Sequence, residues 1–513
     1  MKRSKKMLVN TLVLTAASLL MRTIGVSFQV YLTKQIGAAG MGLFQLILTV
    51  YGLAVTLGCA GVRLAATRLV VEENSLRRCG SAQVMRRCLL FGLAAGLLAA
   101  LALFGGARTA AVYWLADLRA AHSLRILALS LPPAAVSAAL SGYFTAVGEI
   151  PRFSLVNLAE QLVKIAVVVL ALRRFPQAGV EQACAMVVNG ITASECVSCV
   201  LGLLLYARLS RKTPQDTHAH SGILRRLLRI ALPDAVGSAA RSILLTIEHL
   251  LIPVGFQKSG STSESSLAVY GTIHGMVLPV LLYPSALLSS LAGLLVPELA
   301  QWHAVQNKER IAAITARVLH MTLLFALGTA GLLYVFAEPL AAAVYGNNDS
   351  AQYLRLLAPL VPVMYLDMTV DGILKGLDQQ LYSMRYNLYD SALCVALVYL
   401  LLPRYGVQAY IFILFFSEIM NFYLSISRLI HVSAVRLPLY NGVLKPACCI
   451  LAAFFLVRTA FSALGGQLGL TAELVFFVGV TALVYFILLR AVGSISGEDL
   501  RWIKAVVGRE AAR

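Results

Sequence analysis

The chain has 513 residues, of which 59% are hydrophobic and 13% are charged, and its mean hydropathy is +0.79. A soluble chain would carry about 25% charged residues. The shortage of charge, together with apolar runs of about 20 residues from end to end, excludes a soluble globular protein and predicts a polytopic membrane protein. The runs are too long for the strands of a membrane barrel, so the predicted fold class is all-α.

We predict about 14 transmembrane helices joined by short polar connections. The first begins within ten residues of Met1, behind MKRSKK, and continues too far for a cleaved signal peptide, so we expect it to be retained. The predicted spans are residues 8–34, 41–71, 86–105, 121–147, 153–172, 182–207, 227–255, 267–299, 311–337, 351–374, 384–402, 406–427, 443–462 and 471–490.

The basic residues are distributed unevenly between the two sides of the membrane. An even number of spans places both termini on one side, and the connections on that side hold 27 lysines and arginines against 8 on the other. Because cytoplasmic loops carry the excess of Lys and Arg, both termini are predicted to be cytoplasmic. The net charge of +19 then reflects this bias and contact with anionic lipid headgroups, and the dispersed basic residues do not favour nucleic-acid binding.

The nine cysteines are scattered along the apolar segments. Cys196 and Cys199 form a lone CxxC pair, but no second pair or histidine cluster completes a zinc site. The cysteines are therefore interpreted as small buried hydrophobic residues. We expect no metal site and no cofactor.

The two halves of the chain resemble each other. Residues 123–157 align with residues 353–387 at a shift of 230, and Arg22 aligns with Arg241 at a shift of 219. With small gaps, Ser194-Glu195 aligns with Ser417-Glu418. In the longest aligned stretch the matched pairs are Arg125 with Arg355, Pro132 with Pro362, Gly142 with Gly372 and Asn157 with Asn387.

This repeat predicts two six-helix lobes and two further helices. The predicted division is a first lobe at 1–210, a cytoplasmic linker at 211–226, a second lobe at 227–430, and two extra helices with a cytoplasmic tail at 431–513. Six is even, so both copies enter the membrane in the same direction and form a parallel repeat. Two such lobes predict a central cleft and transport by alternating access.

Arginines within the apolar spans are the strongest candidates for a binding site. Arg22 and Arg241 each lie about 14 residues into their spans, roughly 21 Å of helix rise, too deep to reach water easily. They hold equivalent positions in the two lobes, where they would converge on an anion or pair with buried acids; phosphate suits the guanidinium fork. Arg63 and Arg68 lie in the cytoplasmic part of span 2, where they would capture an anion, although their spacing turns them about 140° apart.

Acidic and amide residues in the second lobe raise the possibility of a coupling-ion site. Asp234 follows Pro233 at the start of span 7, where we expect a broken helix, and Asn387 and Asp390 share one face of span 11. Such oxygen ligands suit a small cation. Asp367 and Asp371 form an alternative proton-relay pair; their ordinary interpretation is an ion pair with Lys375.

Three stretches resemble a known family. They are MKRSKKMLVNTLVLTAASLLMRTIGVSFQVYLTKQIGAAGMGLFQL (1–46), GVRLAATRLVVEEN (61–74) and VPELAQWHAVQNKER (296–310). With the six-plus-six repeat they resemble the multidrug/oligosaccharidyl-lipid/polysaccharide (MOP) flippase superfamily, and within it the stage V sporulation protein B group of polysaccharide-biosynthesis proteins, relatives of the MurJ lipid II flippases. The resemblance covers nearly the whole chain.

The resemblance implies a flippase for undecaprenyl-pyrophosphate carrying a sugar or peptidoglycan precursor. It implies that Arg22 with Arg63 or Arg68 holds the pyrophosphate, and that Asp234 and Asn387 hold a coupling ion, Na⁺ or H⁺. Asp390 lies three residues after Asn387, whereas the resemblance implies a spacing of four residues between these two ligands. The implied setting is the cell membrane of an endospore-forming Gram-positive bacterium, with cell-wall synthases as partners.

Other functions remain open from the sequence. The nearest alternative is a cation-coupled exporter of drugs, whose pocket would be lined by acids and aromatic residues. A membrane glycosyl-polymerase and a non-transporting scaffold are the alternatives of another class. No enzyme motif is present and the external connections are short, so we expect a transporter and not an enzyme.

Overall fold

The protein is described here from a computed structural model. The structure describes residues 2–76, 81–175, 179–210, 222–346, 348–433, 435, 444–464, 470–497, 499 and 501. Within these ranges the regular structure is helical, without strands. This confirms the all-α fold class. Residues 211–221, most of the predicted linker, lie outside the described residues.

In the first half of the chain, the described residues form eight α-helices. They are α1 (Lys2–Cys59), α2 (Val62–Leu76), α3 (Ser81–Thr109), α4 (Ala120–Ala128), α5 (Leu131–Ala146), α6 (Ile150–Arg174), α7 (Val180–Ser210) and α8 (Ile223–Lys258). A π-helical turn, Ala110–Trp114, extends α3.

The described residues of the second half form ten more. They are α9 (Ser263–Gly271), α10 (Leu278–Leu282), α11 (Ala286–Ala304), α12 (Lys308–Val335), α13 (Ala337–Tyr345), α14 (Ala351–Leu357), α15 (Val361–Gly376), α16 (Gln380–Ser433), α17 (Lys445–Leu464) and α18 (Leu470–Ala491). A π-helical turn, Thr272–Val277, joins α9 to α10, and a 3₁₀ turn, Ala358–Leu360, joins α14 to α15.

Two helices are too long to be single spans. Straight, α1 and α16 would each measure about 80–90 Å, against about 30 Å of hydrocarbon. Each contains a glycine with non-helical backbone angles: Gly37 (φ 72°) in α1 and Gly406 (φ 56°) in α16. Both glycines lie at the predicted boundary between two spans. Among the described residues, ten helical segments, or eleven with the bent pair α4–α5, are long and apolar enough to cross a membrane, so the count of fourteen stays a prediction.

In the described part of the chain, predicted spans 2, 4 and 8 are interrupted where continuous helices were expected. Span 2 breaks at Gly61, which has a left-handed φ of 75°. Span 4 bends by 45° between α4 and α5, where Pro132 and Pro133 open the second helix. Span 8 breaks between α10 and α11 at Pro284, since proline cannot donate a helical hydrogen bond.

The chain forms two compact units, which we call the N-unit (Gln35–Gln257 with Ser261–Gly271) and the C-unit (Met1–Lys34, Lys258–Gly260 and Thr272–Arg513). In the N-unit, α5 packs against α2, α3 and α7. In the C-unit, α15 packs against α11, α12 and α16, while α17 and α18 pack together and against α12. The division into lobes at 210 and 227 stays a prediction.

Helix ends repeat along the chain at the predicted spacing. Both ends of α15 correspond to the ends of α5 at the shift of 230, and the start of α16 corresponds to the start of α6 at the same shift. The turns that follow α5 and α15 both contain a positive φ, at Gly148 (74°) and at Asp378 (57°), which are equivalent positions in the two copies. The sequence repeat is therefore also a repeat of backbone structure in this region.

Candidate functional site

Arg22 is half-buried in the first span, and the structure gives it neutral partners. Its Nη2 donates hydrogen bonds to the carbonyl oxygen of Leu282 (2.5 Å) and to Oγ of Ser285 (3.2 Å). Both partners lie at the break between α10 and α11, where a helix end leaves carbonyl groups without helical donors. No carboxylate pairs with Arg22 among the side chains that the structure describes. The guanidinium is therefore hydrogen-bonded, but no carboxylate in the described structure neutralises its positive charge.

Two neighbouring contacts fix the first span to the same segment of the C-unit. The hydroxyl groups of Thr23 and Tyr283 are 2.9 Å apart. Further along the helix, Nε2 of Gln29 donates to the carbonyl of Gly275 (3.0 Å), within the π-helical turn. The position of Arg22 is thus fixed by its own helix, which contacts the rest of the C-unit through three side chains: Arg22, Thr23 and Gln29.

Arg63 and Arg68 both lie exposed on α2 in the N-unit. The start of this helix approaches α8 closely, because a Cβ added at Gly61 would lie 2.2 Å from the carbonyl oxygen of Ala231. Neither guanidinium is paired with a carboxylate in the described part of the chain. Both side chains are exposed, and their role in capturing an anion stays a prediction.

Arg241 and Asp234 are exposed on α8, also in the N-unit. The expected break at Pro233 is wrong: α8 continues through Pro233 and Pro253, which a membrane helix tolerates when the freed carbonyl groups find other partners. Arg241 lies ten residues, about 15 Å of helix rise, beyond the contact at Ala231. Arg22 belongs to the other unit, so the convergence of Arg22 with Arg241 stays a prediction.

Other charged residues within or near the spans have ordinary partners. Arg317 pairs with Asp499 (3.2 Å) and Arg355 with Glu338 (3.1 Å). The guanidinium of Arg125 lies over the ring of Phe104 at 5.8 Å. Nζ of Lys375 lies 2.6 Å from the Asp371 carboxylate, which also accepts a hydrogen bond from Ser383. Asp371 is therefore engaged in an ion pair, and the Asp367–Asp371 relay is not favoured.

The predicted pair Asn387 and Asp390 belongs to a larger polar cluster in the C-unit. Oγ of Ser417 donates to Asp390 Oδ1 (2.7 Å), and Nδ2 of Asn421 donates to Asp367 Oδ2 (3.2 Å) and lies 3.5 Å from Asn387 Oδ1. We call the set Asp367, Asn387, Asp390, Ser417, Glu418 and Asn421 the C-cluster. Glu418 is within electrostatic range of both Asp367 and Asp390.

The C-cluster contains oxygens with unused acceptor capacity. Oδ1 of Asp367 and Oδ1 of Asn421 are buried without a hydrogen-bond donor in the described structure. Buried oxygens without donors are costly unless a cation or a water molecule satisfies them. Asn421 and Ser417 were not among the predicted site residues. Their spacing, four residues apart beside Glu418, was the available signal.

A second feature missed from the sequence is the ion pair that joins α2 to α8. Nη1 of Arg226 lies 2.8 Å from Oε1 of Glu73, and Nη2 lies 2.6 Å from Oε2 of Glu72. The side chain of Glu73 is 1% exposed, so Arg226 compensates a buried carboxylate.

Replacing Arg226 with alanine is expected to destabilise the protein by about 1–3 kcal/mol, because it leaves the Glu73 carboxylate buried and unpaired. The measurement is the thermal unfolding midpoint in detergent. The matched control is Arg225→Ala, since Arg225 is an exposed neighbour on the same helix. Equal midpoints for the two variants would contradict a stabilising role for this pair.

The sequence matches two protein-family models and one characterised relative. The family model described as polysaccharide biosynthesis protein matches residues 7–302, and the MatE model matches residues 259–400. Stage V sporulation protein B of Bacillus subtilis (strain 168) is 24% identical over 408 residues, which cover 77% of this chain and 78% of that protein.

Solved structures share the fold at low sequence identity. Lipid II flippase MurJ in an inward closed conformation gives a TM-score of 0.67 at 12% identity, covering 98% of this chain and 100% of that one. An inward-facing multidrug resistance MATE family transporter of the MOP superfamily gives 0.61 at 14% identity, covering 82% and 99%. The resemblance inferred from the sequence is confirmed: the chain belongs to the polysaccharide biosynthesis protein family, within the MOP superfamily.

Proposed function

We propose that the protein flips a lipid-linked oligosaccharide or peptidoglycan precursor of the undecaprenyl-pyrophosphate type from the cytoplasmic to the outer leaflet. It does so by alternating access, in cell-wall or spore-cortex synthesis. Family membership and the stage V sporulation protein B relative support this function. The observation that carries it is Arg22, a cation within an apolar span that has neutral partners in the described structure.

The chemistry of Arg22 suits a pyrophosphate headgroup. Only Nη2 is engaged, which leaves other N–H donors of the guanidinium for phosphate oxygens. A fixed positive charge inside the membrane attracts an anionic headgroup and costs several kcal/mol when left uncompensated. Arg63, Arg68 and Arg241 are further substrate-binding residues in this proposal, with Arg63 and Arg68 acting at capture from the cytoplasm. No covalent chemistry is required.

We further propose that the C-cluster binds the coupling ion, Na⁺ or H⁺. Carboxylate and amide oxygens with unused acceptor capacity support this assignment, since small hard cations take such ligands. Asn387 and Asp390 are the predicted members. Asp234 lies on α8 in the N-unit and is retained as a separate candidate for this ion.

The proposed setting is the bacterial cell membrane, with both termini cytoplasmic and cell-wall synthases as partners. The excess of Lys and Arg on one predicted side supports this orientation. A cysteine-free variant with single cysteines near each terminus, labelled in intact cells by a membrane-impermeant reagent, tests it. Labelling of either terminus from outside would reverse the orientation.

The second candidate function is a cation-coupled multidrug exporter. The match of the MatE model to residues 259–400 favours it, because this range contains three members of the C-cluster. The exporter needs a cavity that accepts cations, whereas unneutralised arginines repel them. Transport of a cationic dye by the purified protein, abolished by Asp390→Asn and unaffected by Arg22→Ala, would favour the exporter over the flippase.

The direct test is translocation of fluorescent lipid II in liposomes that contain the purified protein. We expect translocation above the level of protein-free liposomes, and acceleration by an inward-directed sodium or proton gradient. A mock preparation from cells without the protein controls for contaminating flippases. Absence of translocation of lipid II and of undecaprenyl-pyrophosphate-linked sugars alike would reject the proposed function.

A further inference from the structure

The helix α15 connects the C-cluster to the segment that holds Arg22. Near the start of α15, the hydroxyl group of Tyr365 donates a hydrogen bond to the carbonyl oxygen of Leu281 (2.6 Å). Two residues later, Oδ2 of Asp367 accepts a hydrogen bond from Nδ2 of Asn421 (3.2 Å). Two residues correspond to about 200° around a helix, so the two side chains leave α15 on opposite sides. About half a turn of α15 therefore separates the C-cluster from a contact with the break between α10 and α11.

The acceptor of Tyr365 is adjacent in sequence to the acceptor of Arg22. Nη2 of Arg22 donates to the carbonyl oxygen of Leu282, the residue that follows Leu281. At this break both carbonyl groups accept side-chain donors, one from the first span and one from α15. The Tyr365 side chain is fully buried, so water does not compete for its hydrogen bond. Arg22 and Tyr365 thus hold consecutive residues of one short segment.

The helix α15 has a non-α-helical turn at each end. A 3₁₀ turn that contains Pro359 joins it to α14, and the turn that follows it contains Asp378, whose φ is positive (57°). Interruptions of this kind serve as hinges, because a few residues at the end of an element absorb the change in backbone angles. The 16 residues between the two turns can therefore shift as one rigid helix. Such a shift would move Asp367 and Tyr365 together.

The equivalent helix of the N-unit has neither of these side chains. At the shift of 230, Ala135 on α5 corresponds to Tyr365, and Ser137 corresponds to Asp367. Ala135 is fully buried, and a Cβ added at Gly96 of α3 would lie 2.9 Å from its Cβ, so this position has no room for a tyrosine. The tyrosine and the acid therefore occur together in the copy that contains the C-cluster.

We propose that Tyr365 is a positioning residue, which couples cation occupancy of the C-cluster to the position of Arg22. A cation bound at Oδ1 of Asp367, which has no donor among the described residues, shifts α15. The Tyr365 hydroxyl carries this shift to Leu281, and the backbone carries it to the acceptor of Arg22. Export driven by an inward cation gradient is an exchange, so the cation and the headgroup weaken each other's binding by the same factor. The inference rests on the proposed ion site and on Arg22 as the headgroup ligand.

The test measures amide hydrogen exchange at the α10–α11 break in detergent, without any substrate. The state of the C-cluster is changed in two ways: by sodium against choline chloride, and by Asp367→Asn, which neutralises the acid as a bound proton would. We expect at least one of these changes to alter the exchange rates in residues 280–288 by about 5-fold or more, and by less than about 2-fold when Tyr365→Phe is present.

The matched control is Tyr345→Phe. The hydroxyl group of Tyr345 also donates to a backbone carbonyl of the C-unit, that of Met276 (2.9 Å), but from α13, which contains no member of the C-cluster. Both variants lose one buried hydroxyl group, and thermal unfolding midpoints check that both fold. We expect Tyr345→Phe to retain the response of the wild type. Equal responses of Tyr365→Phe and Tyr345→Phe overturn the role of Tyr365.

The outcomes separate this inference from the proposed function. A wild-type break that responds neither to sodium nor to Asp367→Asn overturns the coupling, whatever lipid the protein moves. A response that Tyr365→Phe abolishes, in a protein that moves no lipid-linked pyrophosphate, rejects the flippase and supports the coupling. In liposomes we expect Tyr365→Phe to keep translocation but to lose its acceleration by the cation gradient, whereas loss of folded protein lowers both rates together.

Discussion

Replacing Arg22 with alanine is expected to reduce translocation of lipid-linked pyrophosphate at least about 100-fold. The removed guanidinium would contribute two charge-assisted hydrogen bonds to the headgroup, together worth about 3 kcal/mol or more. Arg22→Lys retains the charge but loses the planar fork, so an intermediate rate is expected. The measurement is the initial rate of lipid II translocation in liposomes at matched protein content.

The fold is expected to survive this substitution. The carbonyl of Leu282 also accepts a hydrogen bond from Oγ of Ser285 at 2.7 Å, so it keeps a donor when Arg22 is removed. Ser285→Ala is the matched control, because it removes a neutral contact of Arg22 and leaves the charge. We expect Ser285→Ala to change the rate by less than about 3-fold. Equal rates for Arg22→Ala and wild type would make Arg22 a structural charge and reject it as a headgroup ligand.

Replacing Gly61 with alanine is expected to prevent folding or to lower stability by about 2–5 kcal/mol. Two independent causes add here. The left-handed φ of 75° disfavours any residue with a Cβ, and that Cβ would lie 2.2 Å from the carbonyl oxygen and 2.7 Å from Cα of Ala231. These are backbone atoms, so relief requires α2 and α8 to move apart. Expression level and the thermal midpoint in detergent measure the effect.

The control for Gly61 is Gly52→Ala. Gly52 lies within α1, has no positive φ, and has no atom within 4 Å of an added Cβ. This substitution is expected to be neutral or slightly stabilising, because alanine favours the helix by about 1 kcal/mol. Similar stability of Gly61→Ala and Gly52→Ala would mean that the tight approach of α2 to α8 does not determine the fold.

The membrane-spanning architecture was predictable because hydropathy alone decides it. The apolar runs and the boundaries at Gly37 and Gly406 depend on residues close together in sequence, and the repeat is visible by aligning the chain with itself. The break at Gly61 was not predictable, since the need for glycine arises from a contact with Ala231, which is remote in sequence. Pro233 shows the reverse: the sequence predicts a break at this proline, but α8 continues through it.

The candidate site was predictable in its residue types and not in its partners. Arg22 was identifiable as a charge in an apolar span, but its contact with Leu282 joins residues 260 positions apart. Asn421 and Ser417 carry no charge, and only their spacing beside Glu418 distinguishes them in an apolar segment; their position next to Asp367 and Asp390 comes from helix packing. The ion pair of Glu73 with Arg226 joins residues 153 positions apart, so the neighbouring sequence gives no sign of it.

The matching ends of α5 and α15 restrict where the two halves of the chain differ in length. The shift between the halves is 219 at Arg22 and Arg241, 230 from the start of α5 to the start of α6, and 223 at Glu195 and Glu418. The two halves therefore differ in length before α5 and after the start of α6, but not between these points. The turn with Gly148 in one half and Asp378 in the other has the same length and a left-handed residue at the same position, with different side chains. The backbone geometry of this turn is thus shared by the two halves although the identity of the residue that adopts it is not.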